Sequence, residues 1–183
     1  MRTFVAVTPP EDVLDRMEDW LTRLRPLAPY KWVSRAQLHL TLRFLGEASR
    51  AQTDVVAEAL DKLKFDPFAI CLGRVGGFPH LGRPRVLWTG EISGTKDIAA
   101  LAAKVEETAV GSGFPPETKK FNAHLTLARA PGTAPPPELV KALKTVPSFS
   151  WLVSRFSLVR SELTPRGPIY TPLREYPLGR PFA

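Results

Sequence analysis

The tetrapeptide His-Leu-Thr-Leu occurs twice in this chain, at residues 39–42 and again at 124–127. Both copies lie in runs of strand-forming residues, and together they use two of the three histidines. Side chains two positions apart on a β-strand point to the same face. His39 and Thr41 therefore share one face of the first strand. His124 and Thr126 share one face of the second, and the leucines of both copies point to the opposite, apolar face. The fold must accommodate two similar strands, each with a core side and a polar side.

These two polar faces supply the groups for acid–base catalysis at phosphorus, if the fold brings them together. A neutral imidazole can take a proton from water and a protonated one can give a proton to a leaving oxygen, because histidine has a pKa near 6.5. Each well-placed acid or base is worth about 10²–10⁴ in rate. Threonine hydroxyls can donate hydrogen bonds to phosphoryl oxygens. The motif lacks the carboxylate and cysteine partners of a metal site, so we predict neither a metal nor another cofactor.

A single His-x-Thr sequence in a strand is more often structural than catalytic. Two identical copies in opposite halves of the chain reverse that preference. The spacing alone does not tell which histidine is the acid and which is the base.

The composition is that of a soluble globular protein, and 183 residues suit one domain spanning 1–183. No run approaches the roughly 20 apolar residues that span a bilayer. The apolar segment before Pro9 is too short for a secretory signal, so we predict a cytoplasmic protein with no membrane partner. A net charge of +7 favours a polyanionic partner such as RNA, although the basic residues are dispersed.

The chain alternates between strand and helix patterns. Strands are predicted near residues 2–8, 38–45, 68–75, 85–91, 123–129, 150–162 and 169–176, with a short extended piece at 31–33. Helices are predicted near 10–24, 49–63, 95–110 and 138–145. This order, with several hairpin-like neighbours, indicates an α+β protein.

Five stretches of the chain resemble the 2H phosphoesterase superfamily. They are FVAVTPP, KWVSRAQLHLTLRFLGE, GRVGGFPHLGRPRVLWTG, FNAHLTLAR and LVRSELTPRGPIYTPL. The chain is most similar to the bacterial and archaeal RNA 2′,3′-cyclic phosphodiesterases, long named 2′-5′ RNA ligases. The resemblance implies a bilobal fold of two pseudo-symmetric lobes, each with an antiparallel sheet and helices, around a central cleft. It also implies hydrolysis of the 2′,3′-cyclic phosphate of RNA or a nucleotide to a 2′-phosphate, with a weak ATP-independent reverse joining of RNA ends.

The resemblance also carries residue roles over to the two motifs. His39 would be the proton donor and His124 the proton acceptor, and Thr41 and Thr126 would hold the phosphate. The family commonly has proline before the second histidine, where this chain has Ala123. That difference removes no reacting group. We expect the protein to act as a monomer on RNA ends or small cyclic nucleotides.

Three further residues are candidates for substrate binding. Arg129 stands where the family places a phosphate-contacting arginine, but simple alternation puts it on the face opposite His124. A phosphate role therefore requires a bulge, and the alternative is a solvated rim residue. Phe44 shares the Leu40 face by alternation, so it either belongs to the core or flanks a base. Arg43 falls on the His39 face, where it would meet RNA phosphates or solvent. His80, in a Gly/Pro-rich turn, has no motif partner.

Two other functions remain open at this stage. One is a non-catalytic protein that binds RNA ends in the same cleft, as the positive charge allows. The other is a phosphodiesterase for a different cyclic or 2′-5′ linked nucleotide.

Overall fold

A computed structural model describes residues 1–179. The strands of this part of the chain are β1 (Arg2–Val7), β2 (Lys31–Trp32), β3 (Leu40–Glu47), β4 (Phe68–Phe78), β5 (Val86–Ser93), β6 (His124–Arg129), β7 (Phe149–Val153), β8 (Arg155–Thr164) and β9 (Gly167–Pro177). The helices are α1 (Glu11–Leu24), α2 (Arg50–Asp61), α3 (Thr95–Gly111) and α4 (Pro137–Ala142). The predicted α+β class is confirmed. Within residues 1–179, no helix combines the length and the apolar character that a membrane crossing needs.

The strands form one antiparallel sheet in the order β7-β4-β5-β6-β3-β1-β8-β9, with β2 added beside β6. We call β1, β3, β8 and β9 the first lobe, and β4, β5, β6 and β7 the second lobe. The two lobes join where β3 meets β6, through the single registered pair Leu40 and Leu125. The two predicted lobes are therefore present as the halves of one continuous sheet.

The helices cover one face of this sheet and enclose the main core. In α1 the buried residues Val13, Met17 and Leu21 recur at the helical period and form one apolar stripe. Helix α2 begins at the predicted cap, because the Ser49 side chain accepts a hydrogen bond from the Gln52 amide. The leucines of both tetrapeptides belong to the same core cluster. Their histidines and threonines are only partly buried, on the other face of the sheet.

The prediction of a single strand at 150–162 is wrong. The chain instead forms β7 and β8, interrupted at Ser154, and the two strands lie in different lobes: β7 pairs with β4, whereas β8 pairs with β1. The inward-facing positions change phase at this break, since Trp151 and Val153 are buried before it and Phe156 and Leu158 after it. One continuous strand would have turned one of these pairs to solvent.

Candidate active site

The two tetrapeptides meet at the centre of the sheet. Leu40 of β3 pairs directly with Leu125 of β6, and these are the residues that follow the two histidines. The antiparallel register through this pair sets His39 across from Thr126. It likewise sets His124 across from Thr41. Two imidazoles and two hydroxyls thus lie on one face of two neighbouring strands, related by an approximate twofold axis.

Each histidine is held in the same tautomer by a backbone carbonyl. Nδ1 of His39 lies 2.7 Å from the Gln37 oxygen, and Nδ1 of His124 lies 2.8 Å from the Asn122 oxygen. Because a carbonyl oxygen can only accept, Nδ1 must carry the proton in both rings. The nitrogen left to exchange protons is therefore Nε2. In His39 this atom is 3.0 Å from Oγ1 of Thr41.

Burial lowers the pKa of both histidines, and their surroundings then differ. The carbonyl hydrogen bonds oppose the shift in each ring. The charge on His124 lowers the pKa of His39 further. The carboxylate of Glu91 acts in the opposite direction on His124 and raises its pKa. These charges act in opposite directions on the two rings, since Glu91 favours the charged form of His124 and His124 disfavours the charged form of His39.

A β-bulge interrupts both motif strands three residues after the histidine. In the pairing of β3 with β1, the residue paired after Arg43 is Thr41, so one residue between them is skipped. In the pairing of β6 with β5, the residue paired after Ala128 is Thr126, so one residue is skipped there as well. In each strand the skipped leucine is the extra residue of the bulge. The side chains that follow it therefore lie on the face opposite to the one that simple alternation predicts. Phe44 and Arg129, each five residues after its histidine, are therefore exposed on the cleft side.

The bulge in β3 changes the face on which Arg43 lies. Its predicted position on the His39 face is wrong, since the bulge turns its side chain to the opposite face, where it is only 8% exposed. There it forms an ion pair with Glu106 of α3 and donates to the carbonyl oxygens of Phe44 and Pro115. Glu117 lies 3.7 Å from its Nη1 atom. Arg43 fastens α3 and the segment after it to β3, and it faces away from the cleft.

The other two predicted substrate residues lie on the cleft side. Arg129 is exposed at the end of β6, because the bulge that its role requires is present. Phe44 is 60% exposed rather than buried beside Leu40, so its predicted face is wrong for the same reason. Its ring lies 6.0 Å from that of Phe4.

Aromatic rings flank both histidines, and none of these rings was predicted from the sequence. In the first lobe, the rings of Phe4 and Tyr170 lie 4.9 and 5.1 Å from the His39 ring. In the second lobe, Phe78 stands edge-on to His124 at 4.8 Å and Trp88 lies 6.3 Å away. The signal was available, since all four aromatic residues fall within the stretches that resemble the family.

The hydroxyl of Tyr170 interacts electrostatically with charges of both lobes. Burial raises the pKa of its hydroxyl, and the positive charges of Arg129 and Arg2 oppose that shift. Arg129 belongs to the second lobe and Tyr170 to the first, so this electrostatic interaction acts across the sheet junction. His80 is exposed in the turn between β4 and β5. Among residues 1–179, no group of three His, Cys, Asp or Glu side chains is arranged to hold a metal ion.

Comparison with known proteins agrees with this geometry. The profile of the 2′-5′ RNA ligase superfamily matches residues 9–165. The chain belongs to this superfamily. An RNA 2′,3′-cyclic phosphodiesterase of Aeropyrum pernix is 39% identical over 150 residues, covering 80% of this chain and 85% of the relative. A protein of the same name from Archaeoglobus fulgidus is 36% identical over 177 residues, covering 96% and 99%.

A solved structure has the same fold. The crystal structure of Escherichia coli LigT complexed with 3′-AMP superimposes with a TM-score of 0.79 at 26% identity, covering 98% of each chain. The predicted bilobal fold and the predicted 2H phosphoesterase family are thus confirmed for this superfamily member.

Proposed function

We propose that this protein hydrolyses the 2′,3′-cyclic phosphate of an RNA or nucleotide end to a 2′-phosphate without a metal. We further propose that it joins RNA ends through a 2′-5′ bond when the 5′-hydroxyl of a second RNA end attacks phosphorus in place of water, which is the reverse of cleaving a 2′-5′ bond. The observation that carries the proposal is the pair of histidines on adjoining strands, each with Nε2 left to exchange protons. The activity for which the relatives are named supports it. Both motifs come from one chain, so a monomer is sufficient.

In the proposed reaction, water attacks phosphorus and the bond from phosphorus to the 3′-oxygen breaks. Nε2 of His124 takes the proton from the attacking water. Nε2 of His39 gives its proton to the departing 3′-oxygen. The hydroxyls of Thr41 and Thr126 donate to the non-bridging oxygens, where negative charge accumulates in the transition state. Arg129 adds a positive charge at the same phosphate.

The different surroundings of the two rings suit these roles. Glu91 favours the imidazolium that forms on His124 when it accepts the proton, which makes His124 the better base. Burial and repulsion from His124 make a protonated His39 a stronger acid. The negative charge of the bound phosphate favours the protonated form of a neighbouring imidazole, and so opposes the burial that lowers the pKa of His39.

The test is hydrolysis of 2′,3′-cyclic AMP in the presence of EDTA, with the product isomer identified by chromatography. We expect a 2′-phosphate product, and a loss in kcat of about a hundredfold or more for His39→Ala and for His124→Ala. His80→Ala is the matched control, because this third histidine is exposed in a turn, and it should retain wild-type turnover.

Three results would contradict the proposed function or its mechanism. Full activity in both motif variants would end the two-histidine mechanism. Salt-sensitive RNA binding without any product would identify a non-catalytic RNA-end-binding protein. A 3′-phosphate product, or turnover only of another linkage, would identify a phosphodiesterase for a different nucleotide.

A further inference from the structure

Arg74 of β4 lies in the same cross-strand row as His124. It pairs with Gly90 of β5, which in turn pairs with His124 of β6. Directly paired residues of antiparallel strands project to the same face of a sheet. The row therefore runs Arg74, Gly90, His124 across the cleft face of the second lobe. Neither motif includes Arg74, and the proposed reaction does not use it.

The glycine in the middle of the row makes room for the guanidinium. A Cβ atom at Gly90 would lie 3.0 Å from Cζ and 3.1 Å from Nη2 of Arg74. The guanidinium shares the space above β5 with the Trp88 ring, whose Cζ3 would lie 2.9 Å from that Cβ, and any other residue would fill this space with its own side chain. From its origin on β4 it reaches one strand toward His124.

Neighbouring groups fix the orientation of the guanidinium. Its Cζ lies 4.8 Å from the ring centroid of the buried Trp88. Nε donates to the Glu91 carbonyl oxygen at 3.0 Å, and Nη2 lies 3.6 Å from Oε1 of Glu91. These contacts use one face and one edge of the guanidinium, and the side chain is still 44% exposed. An arginine held in this way loses little conformational entropy when it binds an anion.

We propose that Arg74 binds the phosphodiester that joins the terminal nucleotide to the rest of an RNA chain. The inference rests on the proposed function, which places the reacting phosphate between the two Nε2 atoms at the junction of β3 and β6. Arg74 ends above β5, so about one and a half strand spacings, or roughly 7 Å, separate it from the junction of β3 and β6. That offset is comparable with one nucleotide step along a strand. A guanidinium can bind such a phosphate through two parallel hydrogen bonds.

This assignment makes Arg74 a determinant of substrate size. A 2′,3′-cyclic mononucleotide has no phosphodiester beyond its terminal ring, so it offers nothing to this guanidinium. An oligoribonucleotide ending in a 2′,3′-cyclic phosphate does. The protein should therefore prefer the oligonucleotide, and the preference should depend on Arg74.

The experiment compares Arg74→Gln with wild type on 2′,3′-cyclic AMP and on a trinucleotide ending in a 2′,3′-cyclic phosphate. We expect the KM for the trinucleotide to rise about tenfold. The loss in kcat/KM should be at least about fivefold greater for the trinucleotide than for the mononucleotide. The dependence of log KM on log salt concentration should become shallower by about 0.7 for the trinucleotide, as for one lost phosphate contact on a single strand.

Two further variants complete the set. Arg74→Lys keeps the charge without the planar fork and should show a smaller loss, again confined to the trinucleotide. Arg50→Gln is the matched control, since Arg50 is 93% exposed on α2, and it should behave as wild type on both substrates. Equal losses on both substrates, or no loss on the trinucleotide in either Arg74 variant, would overturn the assignment.

A binding measurement separates this inference from the proposed activity. Affinity for a trinucleotide with a terminal 2′-phosphate, and for 2′-AMP, can be measured by calorimetry without any turnover. If wild type hydrolyses neither substrate, the proposed function fails. A selective loss of trinucleotide affinity in Arg74→Gln would still support the phosphate site, and equal affinities for wild type and variant would refute it.

Discussion

Replacing Gly76 by alanine should strain the wall of the cleft. Gly76 of β4 pairs with Trp88 of β5. A Cβ atom at this position would lie 2.2 Å from Cζ2 and 2.3 Å from Cη2 of the indole. Carbon atoms pack best at about 3.5–4.0 Å, so the ring would have to retreat by more than about 1 Å. Trp88 is only 6% exposed, and the Phe78 ring lies 5.3 Å from it.

The cost of this displacement should lie at the upper end of the range for overpacked cores. We expect Gly76→Ala to lower the free energy of unfolding by about 3 kcal/mol. For a chain of this length that corresponds to a fall in Tm of about 6–12 °C. Turnover should fall as well, because Trp88 also pairs with Thr126, so a displacement of Trp88 should displace Thr126 in the site.

Urea denaturation of Gly76→Ala and Gly111→Ala provides the assay. Gly111 ends α3, and a Cβ built there would meet no atom within 4 Å apart from its chain neighbours and the backbone of its own helix. Its replacement should stabilise the protein by about 0.4–1 kcal/mol, by restricting the unfolded chain. Combining Gly76→Ala with Trp88→Leu should recover part of the loss, as a favourable coupling between the two changes. The reasoning is refuted if Gly76→Ala unfolds at the wild-type urea concentration, or if its loss is the same with and without the indole.

Three other predictions follow from the site. Burial holds the pKa of His39 and His124 below 6.5. Near that pH the unfolded chain therefore binds more protons than the folded protein does, so the free energy of unfolding should fall as the pH drops below about 6.5. A double His→Asn variant should flatten that dependence between pH 7.5 and 5 in urea titrations, and an unchanged slope would contradict it. Arg43→Met should cost about 3 kcal/mol of stability, because two carbonyl oxygens lose their donor and the Glu106 carboxylate loses its ion-pair partner. Arg129→Gln should change stability by less than about 0.5 kcal/mol and raise KM. The reverse pattern in denaturation and kinetics would show that the two arginines are assigned the wrong way round. Thr126→Val, which keeps the side-chain shape, should lower kcat by about 10²-fold in the cyclic AMP assay, and wild-type kcat would exclude its hydroxyl from the reaction.

The positions of the motifs could be predicted because they depend on local alternation. The period of two placed the leucines in the core and the histidines with the threonines on the other face, and the structure agrees in both strands. The same rule failed beyond the fourth residue of each motif. A bulge is set by the pairing between strands, and neither Leu42 nor Leu127 differs in type from a regular core leucine. Arg43 and Phe44 were therefore assigned to each other's faces.

The rest of the cleft depends on contacts between distant segments. Phe4, Tyr170 and His39 come from three different strands, and only the sheet order brings them together. The break at Ser154 could have been found from the change of phase between Val153 and Phe156. That the chain passes there from one lobe to the other could not, because the composition of the segment does not specify its partners.

The paired bulges have a consequence for the direction of the reaction. Two His/Thr pairs related by a twofold axis would accept a substrate equally well in either of two opposed poses, and each histidine would then serve as acid in one pose and base in the other. The equivalent positions beyond the bulges hold an aromatic ring in one strand, Phe44, and a cation in the other, Arg129. A nucleotide has a flat base at one end and a charged phosphate at the other, so only one of the two poses matches this polarity. In the proposed reaction, the difference between these two positions would therefore fix which histidine serves as the acid and which as the base.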